Sequence, residues 1–262
     1  MIMKKPVVSI LMTIYNHENY LRASIKSIIN QSYKKWELVA IDNGSRDKSK
    51  VILKKFKDKR IKKRFLKKNI GRTNCLNYGL NLCKGKYIAV LDSDDIAKKN
   101  RLEIQIKLLE KEPNTWMVAS NYNLINTEKK FIKSVNNSDI FLKNPRTLLY
   151  QNIIAHSTVM YRKKLINIIG KYPKKFLYAQ DYAFYLRVFK KFKIRTLKAK
   201  LVNIREPHKN SETLRRSNSR LITIEEIKLL MWSYKNFNLF IKEKIYLIFV
   251  VFKKIFKLIN IT

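Results

Sequence analysis

The fold of this chain is decided by one stretch, Gly85-Lys86-Tyr87-Ile88-Ala89-Val90-Leu91-Asp92-Ser93-Asp94-Asp95. Residues 87–91 are apolar and predict a buried strand. The whole chain has eight aspartates, and three of them follow this strand within four residues. Such crowding of like charges is unfavourable without a cation, and oxygen ligands suit Mg²⁺ or Mn²⁺. The alternative, an acidic helix N-cap, explains Asp95 but not the whole cluster.

Strands and helices alternate on both sides of this stretch. Apolar runs predict strands at 7–13, 36–41, 61–66, 116–126 and 154–161, and apolar residues at helical spacing predict helices at 20–30, 48–57, 71–82, 101–111 and 182–192. This alternation is typical of βαβ units. We therefore predict an α/β, Rossmann-like fold with a mainly parallel central sheet flanked by helices, and a helical tail at the C-terminus.

Polar clusters follow three of the predicted strands. They are Thr13 to Asn16, Asp42 to Ser45, and Asp92 to Asp95. In parallel sheets, ligands bind beyond the carboxyl ends of the strands. These clusters therefore predict one binding site at that edge of the sheet.

Asp181 is a second candidate for chemistry. It lies in Tyr178-Ala179-Gln180-Asp181-Tyr182, among aromatic residues at the start of an apolar helix. A carboxylate in such a setting is a candidate general base. A simple helix N-cap is the alternative, and on this position alone it is favoured.

Five sequence blocks follow one another in a fixed order along the chain. They are Ser9–Asn16, Ser27–Asp47, Asn69–Asp95, His156–Met160 and Gln180–Arg187. Together they resemble glycosyltransferase family 2, the inverting enzymes of the GT-A fold, from about residue 7 to about residue 211. The resemblance implies a glycosyltransferase domain over residues 1–216, with a donor half at about 1–112 and an acceptor half at about 113–216. The helical tail would then span 217–262.

The resemblance also implies roles for individual residues. The nucleotide-binding set would be Thr13, Tyr15, Asn16, Asp42, Asn43, Asn69, Arg72 and Asp92. Tyr15 would pack on the base, and Arg72 would lie near the diphosphate. Asp94 and Asp92 would bind Mn²⁺ or Mg²⁺, with Asp94 the more direct ligand, and Asp181 would accept the proton of the acceptor hydroxyl. The implied reaction moves a sugar from a nucleotide-sugar donor to a glycan or lipid-linked acceptor.

Three positions depart from the family pattern. Asn43 stands where a second aspartate is common. The resemblance implies a UDP-sugar donor. An aspartate would only accept a hydrogen bond from the uracil ring, whereas the amide of Asn43 both donates and accepts. Gln180 replaces a frequent glutamate beside the base. Arg205-Glu206-Pro207-His208 resembles an arginine–histidine pair with one extra residue, so His208 is either a third metal ligand or a surface histidine. His17 and His156 are interpreted as structural.

The charge of the chain suggests two kinds of partner, nucleic acid and anionic lipid. Its net charge is +38, from 57 basic and 19 acidic residues, which would attract nucleic acid or anionic lipid. Lysines number 43 against 14 arginines, whereas base recognition favours arginine, and no nucleic-acid-binding motif is present. We therefore expect no specific nucleic-acid partner.

A nucleotidyltransferase of similar architecture is a further alternative. It would explain the aspartates but not Asp181 within an acceptor-side block.

The last 26 residues, 237–262, alternate apolar clusters with lysines. This pattern predicts a basic amphipathic helix on an anionic membrane surface, and the alternative is packing on the domain or on another subunit.

The two cysteines suggest no disulfide framework, and the N-terminus resembles no secretory signal. The longest uncharged apolar run has eight residues, too few to span a bilayer. We expect a cytoplasmic protein, peripheral on the cytoplasmic face of the membrane.

Overall fold

The computed structural model describes residues 6–207 and 220–259. In these residues the strands are β1 Val8–Ile14, β2 Trp36–Asp42, β3 Ile61–Phe65, β4 Tyr87–Val90, β5 Ile96–Ala97, β6 Thr115–Ile125, β7 Phe131–Val135, β8 Met160–Arg162 and β9 Lys193–Arg205. The helices are α1 Leu21–Ile29, α2 Ser49–Lys55, α3 Arg72–Leu82, α4 Arg101–Lys111, α5 Asn137–Lys143, α6 Leu165–Ile169, α7 Gln180–Lys191, α8 Arg220–Asn236 and α9 Ile241–Ile259. Short 3-10 helices occupy Pro145–Leu149 and His156–Thr158.

One central sheet joins these strands in the order β3-β2-β1-β4-β8-β6-β9-β5, and β7 pairs with β6. The first four strands of this order are mutually parallel, as predicted from the alternating pattern. β8 runs antiparallel to both β4 and β6, while β6 and β9 are parallel. The predicted α/β fold with a central sheet flanked by helices is therefore confirmed, and β8 joins its two parallel parts.

Apolar side chains fill both faces of the sheet. Leu11 belongs to one core cluster, whereas Ile10 and Met12 belong to the other, because successive residues of a strand point to opposite faces. Helix α3 packs closely on the first cluster through Gly79, where an added Cβ would lie 2.3 Å from the Leu11 side chain. This close packing, which also involves Ile41 of β2, fixes the helix that begins at Arg72 against β1 and β2.

Three sequence interpretations need correction. The predicted strand at 154–161 forms only at Met160–Arg162, because its first part turns through the 3-10 helix at residues 156–158. Asp95 caps no helix: β5 follows it, and its Oδ1 accepts a hydrogen bond from the Arg205 backbone N–H at 2.9 Å. β5, β7 and β9 were not predicted, because lysines interrupt β7 and β9 and β5 has two residues.

The predicted helical tail forms two helices that differ in their surroundings. Leu229 and Leu230 of α8 are buried in the main core. By contrast, α9 contacts this core mainly through Leu247 and exposes a long series of large apolar side chains. The predicted boundary at residue 216 lies outside the described residues. Across residues 6–207 and 220–259, no helix combines the length and apolarity needed to cross a bilayer.

Candidate active site at the carboxyl ends of the strands

Asp92, Arg72 and His156 form a cluster just beyond the end of β4. The Arg72 guanidinium donates to Asp92 Oδ1 at 2.6 Å and lies 3.1 Å from His156 Nδ1. The same His156 nitrogen is 3.5 Å from Asp92 Oδ1. Burial alone would raise the pKa of Asp92, but the Arg72 charge and the adjacent His156 ring hold it well below the usual range. Asp92 is therefore a stable anion.

Two buried tyrosines connect this cluster with Asp181. The Tyr172 hydroxyl lies 3.2 Å from His156 Nε2. Burial raises the pKa of Tyr172 and of Tyr185, and the negative charges of Asp181 and Asp92 contribute to the increase at both hydroxyls. The Tyr172 ring also packs against Phe184, with ring centroids 4.8 Å apart, and Phe184 follows Asp181 by three residues in α7. Two predicted site residues that are 89 positions apart in sequence (181 against 92) share one neighbourhood.

The segment from Asp92 to Asp95 places three carboxyl groups close together. Burial raises the pKa of Asp95 well above its usual value, and the charges of Asp94 and Asp92 add to this effect. Arg205 holds the loop from the other side, because its backbone N–H binds Asp95 and its Nε donates to the Asp94 carbonyl at 3.1 Å. In the described part of the chain, no three His, Cys, Asp or Glu side chains converge as a metal cage. A cation at Asp94 and Asp92, as expected from the sequence, would have to take its remaining ligands from a bound phosphate and water.

Asp42 ends β2 with a buried carboxylate that has one oxygen to spare. Its side chain is 1% exposed, and Oδ2 accepts the Ser45 backbone N–H at 3.3 Å. Among the described residues, no group forms a hydrogen bond with the buried Oδ1. Burial raises the pKa of Asp42 more than the Ser45 hydrogen bonds lower it. A buried acceptor of this kind costs free energy unless a donor binds it.

Asn43 binds the loop that leads into α3. Its Nδ2 donates to Asn69 Oδ1 at 3.0 Å, and its Oδ1 accepts the Ile70 N–H at 3.1 Å. Gly44 permits the close approach of this loop: its φ is +73°, and an added Cβ would lie 2.6 Å from the Lys68 carbonyl carbon. The two predicted site residues Asn43 and Asn69 are thus brought together, and the Asn43 amide is engaged with protein.

The remaining predicted residues of the nucleotide side follow β1. Thr13 is buried near the end of the strand, and Tyr15 and Asn16 are partly exposed just after it. Asn16 has a φ of 57°, and it binds the neighbouring turn through its N–H to Ser45 Oγ and its Oδ1 to the Arg46 N–H. The left-handed conformation suits asparagine and re-aims the chain at the sheet edge. His208, the third predicted metal ligand, lies outside the described residues.

The matches to known proteins agree with this fold. The family model described as glycosyl transferase family 2 matches residues 9–170, more than half of the chain. The chain belongs to glycosyl transferase family 2. An uncharacterized glycosyltransferase of Methanocaldococcus jannaschii is 31% identical over 90% of this chain and 83% of its own length. An Escherichia coli relative, named as a UDP-Glc:α-D-GlcNAc-diphosphoundecaprenol β-1,3-glucosyltransferase, is 32% identical over 70% of each chain.

Solved structures support the fold of this glycosyltransferase. S. aureus TarS in complex with UDP-GlcNAc has a TM-score of 0.74 and 19% identity, covering 95% of this chain and 71% of TarS. A Pyrobaculum calidifontis mannosyltransferase in complex with GDP-Man and Mn²⁺ has a TM-score of 0.67 and 16% identity, covering 86% of this chain and 64% of that one. These likenesses confirm the predicted GT-A type architecture.

Two residues beside the candidate site received little or no weight in the sequence analysis. His156 was interpreted as structural, and its ring lies against Arg72 and Tyr172. Glu225 in α8 was not considered, yet its carboxylate accepts the backbone N–H groups of Leu177, Tyr178 and Ala179 at 2.6, 2.9 and 2.8 Å. These three residues lead directly into α7, whose first turn contains Asp181. His156 lay in a quoted sequence block, but nothing in the local sequence marks Glu225.

Proposed function

We propose that this glycosyltransferase transfers a sugar from a UDP-sugar to a hydroxyl of a lipid-linked glycan, with inversion at the anomeric carbon. The observation that carries the proposal is the position of Tyr172. Its hydroxyl lies 3.2 Å from His156 of the Asp92 cluster, and its ring packs on α7, the helix that contains Asp181. Direct displacement needs a base on the acceptor side and neutralisation of charge at the departing diphosphate. Asp181 would act as the base. Asp92 would help to hold the positive charges, Arg72 and a cation, that neutralise the diphosphate.

Asp42 supports binding of the nucleoside. Its buried Oδ1 meets no donor in the described part of the chain, so the ring N–H of a uracil base would satisfy it. Asn43 would act indirectly by holding Asn69 and Ile70 against the pocket. In this proposal Tyr15 packs on the base, while Thr13 and Asn16 shape the pocket wall.

Arg72 and the Asp92–Asp94 loop would hold the diphosphate. Arg72 is already oriented by Asp92 and His156, so little side-chain entropy remains to be lost when it binds a phosphate oxygen. Mn²⁺ or Mg²⁺ bound at Asp94, with Asp92 beside it, would supply charge neutralisation for the leaving group. His208, outside the described residues, remains a proposed third ligand of this metal.

Asp181 would accept the proton of the acceptor hydroxyl. Its side chain is 5% exposed, and its Oδ1 accepts the N–H of Tyr182 at 2.8 Å, which limits the rotation of the carboxylate. The E. coli relative is named for a diphosphoundecaprenol-linked acceptor. An acceptor of this class would require work at a membrane surface, and we propose that α9 binds that surface.

A thermal-shift panel tests the donor class. UDP-, GDP- and dTDP-sugars are added to the full chain with and without Mn²⁺, and we expect stabilisation by UDP-sugars that increases with the metal. Asp42→Asn should lower the affinity for the UDP-sugar about tenfold and so reduce the thermal shift, because it turns a buried acceptor into a group that also donates. Asp139→Asn is the control, since Asp139 is exposed on α5. Equal responses to all nucleotides would refute the uridine assignment.

Product analysis separates this proposal from nucleotidyl transfer. A glycosyltransferase releases the nucleoside diphosphate, whereas a nucleotidyltransferase releases pyrophosphate. We expect UDP as the product. Release of pyrophosphate would favour the second reaction.

A further inference from the structure

A cleft of about 940 Å³ separates α9 from the chain segment that begins at the 3-10 helix Pro145–Leu149. Its lining comes from both sides and comprises Asn144, Thr147, Tyr150, Gln151, Tyr246, Phe249, Val250, Lys253, Lys254 and Phe256. Neither the family match, which ends at residue 170, nor the proposed reaction uses the α9 side of this cleft. Its volume is in the range of small-molecule sites.

Specific contacts hold the two walls of the cleft in place. The Arg146 guanidinium forms a two-pronged ion pair with Glu243 at the start of α9, and it also donates to the Asn238 carbonyl. The Tyr150 and Tyr246 rings meet edge to face, with centroids 5.0 Å apart. The cleft is therefore built by contacts between defined side chains.

The lining combines aromatic surface with positive charge. Tyr150, Tyr246, Phe249 and Phe256 supply rings, while Lys253 and Lys254 supply ammonium groups. Lys254 is paired with Glu226, whereas no carboxylate belongs to the lining set. A ligand that complements this surface has a hydrocarbon part and a negatively charged part.

The inner wall of the cleft is connected to the candidate active site. The Leu148 carbonyl accepts the Tyr182 hydroxyl at 2.8 Å, and Tyr182 is the residue after Asp181. The same chain segment continues from Gln151 to His156, which contacts Arg72. A molecule in the cleft would thus lie against the segment that leads to both halves of the site.

We propose that this cleft binds the lipid of a lipid-linked acceptor. The hydrocarbon next to the diphosphate would contact the aromatic rings of Tyr246 and Phe249, and the diphosphate would lie near Lys253. This inference rests on the proposed function, because it assigns a binding place to the lipid of the acceptor class proposed there.

Binding of farnesyl diphosphate to the full chain tests the cleft. The probe is titrated below its critical micelle concentration in the presence of saturating UDP and Mn²⁺, with inorganic diphosphate and farnesol as separate arms. We expect farnesyl diphosphate to bind more tightly than either part alone. Tyr246→Ser/Phe249→Ser should weaken its binding by about tenfold or more, since two ring contacts are lost.

The matched comparison is Ile245→Ser/Phe252→Ser, which removes exposed side chains of the same helix outside the cleft lining. We expect this variant to retain the wild-type affinity for farnesyl diphosphate. Equal weakening in both variants, or none in either, would overturn the cleft assignment. Circular dichroism is used to check that both variants are folded. UDP binding is measured separately, so a chain that binds the prenyl probe but no nucleotide would refute the reaction and keep the cleft.

Discussion

At the scale of single residues, the site depends on where each carboxylate finds its partner. Asp92 pairs with Arg72 and lies beside His156, and Asp95 accepts the Arg205 N–H. Within residues 6–207 and 220–259, one buried oxygen of Asp42 has no hydrogen-bond partner. The sequence analysis predicted these aspartates because three polar clusters follow three apolar strands. It could not assign their different partners, because Arg205 is 110 residues from Asp95 and the two meet only through β9.

Asp181→Asn tests the proposed base. General base action contributes about 10²–10⁴ in rate, so we expect turnover to fall by that order while UDP-sugar binding stays close to wild type. Turnover is measured as UDP release, and donor binding as a thermal shift. The comparison is Asp139→Asn on the surface. Near-normal turnover of the Asp181 variant would contradict the assignment.

Asp92 and Asp94 should differ when each is changed to asparagine. Asp92→Asn leaves Arg72 without its anion, so we expect a loss of about 2 kcal/mol in the free energy of unfolding. Asp94→Asn should change stability little and raise the Mn²⁺ concentration needed for half-maximal activity. Urea unfolding and metal titration measure the two effects. The same stability loss in both variants would show that Arg72 does not distinguish them.

At the scale of elements, a helix outside the family match positions the first turn of α7. The Glu225 carboxylate accepts three consecutive N–H groups just before α7, and it reaches them from α8. Hydrophobic periodicity predicted both helices, since it reports which face is apolar. It carries no information on which buried carboxylate of one helix meets the backbone of another, and that contact depends on tertiary packing.

Glu225→Ala should lower kcat about tenfold or more and leave KM for the donor nearly unchanged, because small misplacements of a catalytic group are costly. Glu225 is thus expected to be a positioning residue. Glu225→Gln should restore part of the rate, since its amide oxygen still accepts hydrogen bonds. Glu226→Gln is the control, because Glu226 is the next residue and pairs with Lys254 on α9. Equal losses of kcat in the Glu225 and Glu226 variants would argue against a positioning role.

At the scale of the whole molecule, α9 presents an apolar stripe to solvent. Its members recur at alternating steps of four and three residues and are 38–70% exposed: Ile241, Ile245, Ile248, Phe252, Ile255 and Ile259. This spacing would also suit a coiled-coil seam with a second copy. The charges on the helix favour a lipid surface, because lysines predominate and its acidic residue, Glu243, is paired with Arg146. Like charges across a dimer seam would repel one another.

Ile245→Ser/Phe252→Ser should therefore reduce binding to anionic vesicles. Each exposed side chain would bury apolar area worth about 1.5–3 kcal/mol, so the pair should weaken binding at least about tenfold. Cosedimentation with phosphatidylglycerol-containing vesicles measures this effect, and pure phosphatidylcholine vesicles should bind the wild-type chain less. Phe131→Ser/Ile132→Ser on β7 removes two exposed apolar side chains elsewhere and should leave vesicle binding intact. If the wild-type chain instead forms a dimer that the α9 variant dissociates, with vesicle binding unchanged, the stripe is a protein interface.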